Sequence, residues 1–185
     1  MQSSGLLEWD ERHRAAPERD DAAPLPLVVE TSKMKPGRAL DLACGAGRNA
    51  LWLAEHGWSV TAVDGSPAAI ELLRKRAVER GVNVDAQVAD LEKDEYAIEP
   101  SHWDLVVISY YLQRGLFEPA KRGVVPGGVL VSIALLGEGR FSLRPSELRG
   151  FFSDWEILHD HEGNPGEPPH RAVAEIVARR PFKLN

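Results

Sequence analysis

Cysteine is almost absent: Cys44 is the only one in 185 residues, so no disulfide can form within the chain, the pattern expected in a reducing cytoplasm. An excess of basic charge is absent as well. Lys and Arg number 22 against 28 Asp and Glu, a formal net charge of −6, which argues against nucleic acid as the main partner because phosphate binding needs a basic surface. The one basic run, ELLRKRAVER, has acidic residues on both sides and reads as a solvated helix face. No apolar run spans a bilayer; the longest, VVPGGVLVSIALL, is short and broken. The opening MQSSGLLEWDERH has neither the basic start nor the apolar core of a signal peptide. No internal repeat or second domain is visible. What remains is 43% hydrophobic and 27% charged residues, the composition of a globular protein long enough to bury a full core. The expectation is one domain over residues 1–185, with 1–35 as an N-terminal helical cap segment and 36–185 as a sheet-and-helix core, and with no membrane partner.

The most informative stretch is ALDLACGAGRNALWLAEHGWSVTAVDGSP, Ala39 to Pro67. Leu40, Leu42 and Ala43 fit a buried strand, and Gly45 and Gly47 allow a tight turn whose backbone comes close to a ligand. A helix follows from about Arg48. Val60, Ala62 and Val63 form a second strand with Asp64 at its carboxyl end, where a carboxylate can accept hydrogen bonds from both ribose hydroxyls. Gly45, Gly47 and Ala50 also satisfy the GxGxxG/A pattern of nicotinamide dinucleotide enzymes. Asp41 separates the two readings. A carboxylate just ahead of the glycines repels a pyrophosphate that would sit on the helix start, and it suits a cationic ligand such as S-adenosylmethionine.

The rest of the chain alternates strand and helix, which predicts a doubly wound, mostly parallel α/β sheet. Pro67 opens a helix that Gly81 ends, with Ala68, Ile70, Leu72, Leu73 and Val78 as its buried stripe. Val82, Val84, Ala86 and Val88 alternate as a third strand leading to Ala89, Asp90 and Leu91. Trp103 to Ser109 reads as a central strand, and Pro126 to Gly128 as a turn before a strand over Val129 to Leu136. A polar connection over Gly137 to Arg144 and a short helix from Pro145 to Phe152 follow. Two closing strands, Trp155 with Ile157 and Arg171 to Ala178, are joined by HDHEGNPGEPPH, read as an exposed loop.

DLACGAG resembles the first motif of class I S-adenosylmethionine-dependent methyltransferases, VTAVDGSP resembles the second, and the later PGG is a further mark of that superfamily. The resemblance implies a seven-stranded Rossmann-like fold with a closing antiparallel hairpin. It also implies S-adenosyl-L-methionine as cofactor, held by Asp41, Ala43, Gly45, Gly47, Arg48, Asn49, Asp64, Gly65, Ser66 and Ser109, with Asp90 accepting from the adenine amino group between Ala89 and Leu91. FSLRPSELRGFFSDWEIL, RAVAEIVARR and the GRN at Gly47 to Asn49 are similar, more narrowly, to the tellurite-resistance methyltransferase family. That family carries a His and Arg pair in the loop before the last strand; here the loop is shorter, and His170 with Arg171 falls at the strand start. Trp9, Arg12 and His13 match a WxxR/K pattern of thiopurine-type methyltransferases, in which it covers the cofactor. The other reading is that Trp9 packs its helix onto the sheet edge.

On the acceptor side the candidates are Tyr110, Tyr111, Arg140, His170 and Arg171, all near the carboxyl edge where doubly wound proteins bind ligands. Each also has a structural reading, one tyrosine as core and the arginines as solvated or paired. Cys44 reads as a small residue that lets the cofactor approach, since no base is recognisable beside it. His159, His161, Glu162 and His170 lack any spacing that fixes metal geometry, so no metal is expected. Three readings follow: a methyltransferase acting on a small-molecule acceptor, a noncatalytic module binding S-adenosylmethionine or its product, and a nicotinamide-dependent oxidoreductase, which Asp41 and Asp90 disfavour.

Overall fold

In the computed structural model, residues 4–15, 23–164 and 171–182 are described, without the side chains of Ser4 and Trp9. His170 and residues 20–22 therefore lie outside the described residues. The chain divides into two units, Met1–Ala97 and Ile98–Asn185.

The first unit contains α1 (Ser4–Ala15), α2 (Pro26–Thr31), β1 (Arg38–Leu42), α3 (Arg48–Glu55), β2 (Ser59–Asp64), α4 (Pro67–Arg80) and β3 (Val84–Val88). Its strands run parallel in the order β3-β2-β1, with Asp41 beside Ala62 and Asp64 beside Val88. β1 and β2 bury Ala39, Leu40, Leu42, Val60, Ala62 and Val63, as parallel strands under helices require, and β1 buries Asp41 with them. α4 has the ends its sequence demands: Pro67 in the first turn, the Ser66 hydroxyl accepting from the Ala69 amide at 3.1 Å, and Gly81 in the left-handed conformation (φ +67°) after the last turn.

The second unit holds β4 (Trp103–Ser109), α5 (Phe117–Gly123), β5 (Val124–Leu135), α6 (Glu147–Gly150), β6 (Glu156–Gly163) and β7 (Val173–Arg179). The strand order is β4-β5-β7-β6; β4 and β5 are parallel, while β7 is antiparallel to both of its neighbours. β4 is covered on both faces, as its continuous apolar run predicts. Phe117 and Phe152 are fully buried under the sheet and meet edge to face at 6.1 Å. Across both units the described residues supply the seven strands and the closing antiparallel pair of the expected fold.

Four details differ from the sequence reading. The buried stripe of α4 is Ala69, Ile70, Leu73 and Ala77, whereas Val78 is 81% exposed and Ala68 and Leu72 are only half-buried. β3 buries Ala86 but leaves Val88 46% exposed, because it is the outermost strand of its unit. The Pro126–Gly128 turn lies inside β5, which starts at Val124 beside Trp103 and regains register at Val129 beside Leu105; the bulge absorbs the turn. The supposed loop from His159 onward is strand as far as Gly163, since His159 to Gly163 pair with Val173 to Val177. Backbone pairing with β7 overrides the polar composition.

The exposure of α4 yields a paired expectation. In urea unfolding, Val78→Lys should change stability by no more than about 0.5 kcal/mol, while Leu73→Ala should cost about 2–5 kcal/mol. Comparable losses from both would contradict this burial pattern.

Candidate cofactor site

At the end of β1 the chain makes three left-handed steps within five residues, Ala43 (φ +55°), Gly45 (φ +55°) and Gly47 (φ +81°). Glycine takes such angles freely. Ala43 does not, and its strained conformation marks a place where backbone geometry has been favoured over local ease. A side chain at Gly47 would collide with Leu73 of α4, so this glycine also permits the close packing of turn on helix. α3 then begins at Arg48.

Asp64, at the end of β2, braces this turn. One of its oxygens accepts from the Gly45 amide at 2.8 Å and the other from the Ser66 amide at 2.8 Å. Burial pushes its carboxyl above the ordinary value, opposed by those two amides and by His13. Each oxygen retains a further lone pair, so the braced carboxylate can still accept from a diol.

Asp41 is fully buried, and neither of its carboxylate oxygens has a hydrogen-bond partner; the Ala50 amide approaches without meeting hydrogen-bond geometry. Burial pushes its carboxyl up to about 7, against the pull of the Arg48 guanidinium and with a further push from Asp64. A buried carboxylate left without partners is costly, and such an orphan calls for a ligand or function. A cation beside it would satisfy it; a pyrophosphate would not. Cys44 is buried, and burial together with Asp64 and Asp41 raises its thiol well above the ordinary value, so it is held as an inert thiol.

Other expected cofactor residues are occupied in local structure. The Asn49 side-chain oxygen accepts from the Leu25 amide at 3.0 Å and ties the start of α2 to α3. Ser66 is fully buried and caps α4. Asp90 accepts from the Glu92 amide at 3.0 Å and from Lys93 at 2.5 Å, while its own amide donates to Glu95. Ala89 and Leu91 are buried on either side of it. Gly65 is half-buried.

α1 also makes a contact that no local motif marks. Asp10, 5% exposed, accepts from the Ser66 hydroxyl at 2.7 Å and from the Ala68 amide at 3.0 Å, and pairs with Arg14 at 2.7 Å. It caps α4 from 56 residues away in the chain. A side chain at Gly65 would overlap Leu6, and one at Gly45 would touch His13. α1 thus lies over both glycine turns. The Trp9 side chain is not among those described, so both of its readings lie outside the described residues; Leu6, Asp10 and His13 of the same helix face the turns.

In the second unit, Ser109 ends β4 and Tyr110 follows in a left-handed conformation (φ +55°), its amide donating to the Ile133 carbonyl at 2.6 Å. Both tyrosines are half-buried; Leu112 takes the core position expected of one of them. Tyr111 donates to the Gln113 side chain at 2.9 Å. Arg140 is exposed and lies over the Phe141 ring at 5.2 Å, and Arg171 is exposed ahead of β7. His159 contacts Glu175 at 3.2 Å, and Glu162 accepts from the Ser146 amide at 2.6 Å. No helix among the described residues is long and apolar enough to cross a membrane.

Residues 39–128 match the family model of a methyltransferase domain. The chain is 27% identical over 156 residues to a probable S-adenosyl-L-methionine-dependent methyltransferase, TehB, of Haemophilus influenzae, covering 76% of this chain and 53% of that protein. It is 37% identical over 95 residues to a 2-heptyl-1-hydroxyquinolin-4(1H)-one methyltransferase of Mycobacteroides abscessus, covering 49% of this chain and 41% of that protein. The crystal structure of TehB from Haemophilus influenzae superposes with a TM-score of 0.77 at 23% identity, over 91% of this chain and 66% of that one. The fold is therefore the Rossmann-like methyltransferase fold. The chain spans about half the length of the curated relatives it matches over most of its own length.

The carboxyl of Asp41 sets a pH dependence. Its folded value of about 7 lies above the ordinary 3.8 expected on unfolding, so its stabilising contribution is complete below about pH 4 and is lost as pH rises through 7. The slope approaches about 1.4 kcal/mol per pH unit. Asp64, also raised, acts in the same direction. Asp41→Asn should flatten the fall in urea-unfolding stability between pH 5 and 7; an unchanged slope would show that Asp41 does not hold a proton there.

Proposed function

We propose that this chain, whose residues 39–128 match a methyltransferase domain and which is similar to TehB, is a class I, S-adenosylmethionine-dependent methyltransferase that transfers a methyl group to a small-molecule acceptor. The observation that carries this reading is the orphaned, fully buried carboxylate of Asp41 ahead of the glycine turn. It fits a cofactor bearing ammonium and sulfonium charge and disfavours a dinucleotide.

Asp41 would neutralise that positive charge, and Asp64 would accept the ribose hydroxyls with its position fixed by the Gly45 and Ser66 amides. Gly45 and Gly47 would let the backbone approach, and Ala89, Asp90 and Leu91 would border the adenine. α1 would complete the cover through Leu6 and His13. Bound S-adenosylmethionine supplies a methyl group on a sulfonium, open to in-line attack by a nucleophile. The chain's contribution is then alignment, which can lower a barrier by as much as roughly 7–11 kcal/mol. A thiol or oxyanion acceptor that is already ionised needs no base. Tyr110, Tyr111, Arg140 and Arg171 are the described candidates for holding the acceptor, and His170 stays a candidate from its sequence position. The small-molecule reading is supported by the quinolone methyltransferase among the relatives and by the formal net charge of −6; the ribosomal RNA methyltransferase also among them makes RNA the alternative acceptor.

S-adenosylmethionine and S-adenosylhomocysteine should raise the melting temperature while NAD and NADP leave it unchanged; stabilisation by NAD alone would overturn the assignment. Asp64→Ala should weaken calorimetric cofactor binding by about 1.5–3 kcal/mol. Labelled cofactor should pass its methyl to a member of a panel of small thiols, selenite, tellurite and halides; binding without turnover across a broad panel would favour the noncatalytic module.

A further inference from the structure

Arg114 lies four residues beyond Tyr110, in the single 3-10 turn Arg114–Leu116 that leads into α5. Its guanidinium makes a two-pronged contact with Glu147 at the start of α6, Nε to Oε1 at 2.5 Å and Nη2 to Oε2 at 3.2 Å. The same group donates to the Arg140 carbonyl at 3.2 Å and to the Ser142 carbonyl at 3.0 Å. Glu147 in turn accepts from the Arg144 amide at 3.0 Å. One side chain therefore gathers the segment after β4, both ends of the Arg140–Ser142 bend after β5, and the first turn of α6.

The bend it holds is otherwise loosely determined. Gly137 (φ +148°) and Gly139 (φ +114°) give it backbone freedom, and Arg140 and Phe141 at its tip are exposed, with Phe141 57% so. Its base is fixed by Leu143, which is fully buried and exchanges backbone hydrogen bonds with Leu135 and Gly137. Two sequential segments thus leave the carboxyl ends of the parallel pair β4 and β5, the edge at which such sheets bind ligands, and Arg114 locks one to the other. A planar guanidinium with five donors in a fixed fork suits this task; a lysine cannot reach a carboxylate and two carbonyls together.

We propose that Arg114 is a positioning residue: through Glu147 and the carbonyls of Arg140 and Ser142 it holds the Arg140–Phe141 tip in the geometry that selects the methyl acceptor. This rests on the methyl-transfer reading above. The tip offers a cation stacked on an aromatic ring, which suits an anionic acceptor with an apolar or aromatic body.

The test compares wild type with Arg114→Lys and Glu147→Gln, each first checked for its melting temperature and for stabilisation by S-adenosylhomocysteine. Backbone hydrogen exchange is read at Gly137, Ser142, Leu143 and Arg144, whose amides are all hydrogen-bonded. In Arg114→Lys these amides should exchange roughly tenfold faster while those of α4 keep their rate, and Glu147→Gln should give a smaller change in the same direction. With the panel acceptor that the wild type methylates, KM for the acceptor should rise roughly tenfold, with kcat and the KM for S-adenosylmethionine within twofold. Unchanged exchange in Arg114→Lys overturns the proposal, as does a loosened bend with an unaltered acceptor KM. If no panel acceptor is methylated, the noncatalytic module is favoured and the proposed role falls with the methyl-transfer reading. Failure of S-adenosylhomocysteine to stabilise the wild type is a separate outcome, which removes the methyl-transfer reading on which the role rests.

Discussion

A carboxylate sealed from water with nothing to bond to is the constraint around which the first unit is organised. Asp41 is fully buried near the end of β1, and removing an ionised carboxylate from water without compensation is among the most costly acts a fold can perform. The protein offsets part of that cost with Arg48 and part by letting the group hold its proton up to about pH 7. The remainder is stored as an affinity for positive charge. The turn that follows gives that affinity an approach: left-handed steps at Ala43, Gly45 and Gly47 bring bare backbone to the same place, and Gly47 must be glycine so that Leu73 can close behind it.

The second carboxylate, Asp64, shows the opposite treatment. Amides from the two glycine turns hold both of its oxygens, whereas neither oxygen of Asp41 has a hydrogen-bond partner; in the proposed function the first would orient the ligand and the second would attract it. α1 connects the two treatments. By capping α4 through Asp10 and lying over Gly45 and Gly65 through His13 and Leu6, it links the order of the N-terminal segment to the loops that carry both carboxylates.

The strand, turn, helix and strand from Ala39 to Asp64, and the helix after them, were legible because each step has a local cause: apolar runs for strands, glycine for positive φ, Pro67 for the start of α4 and Gly81 for its end. Elements set by contacts from far along the chain were not. Val78 looks like core by spacing yet faces solvent, because the buried face of α4 is the one that carries Ala69, Ile70, Leu73 and Ala77. His159 to Gly163 look like loop yet pair with β7, since an antiparallel partner satisfies their backbone whatever their side chains. Asp10 gives no sign in sequence of capping a helix 56 residues distant. Arg114 reads as an ordinary surface arginine until the bend around Arg140 folds back to it. Backbone geometry at the candidate site was therefore legible in the sequence, and contacts that join side chains across long separations, such as those of Asp10 and Arg114, were not.

Proton linkage on cofactor binding tests the role of Asp41 most directly. At pH 6 a carboxyl with a value of about 7 is mostly protonated, and a cation placed beside it should drive the proton off. Calorimetric titration with S-adenosylmethionine in buffers of differing ionisation heat should show release approaching one proton per cofactor bound at pH 6, falling away by pH 8.5, and absent in Asp41→Asn. Cofactor binding with no proton release in the wild type, or with the same release in Asp41→Asn, would contradict the account.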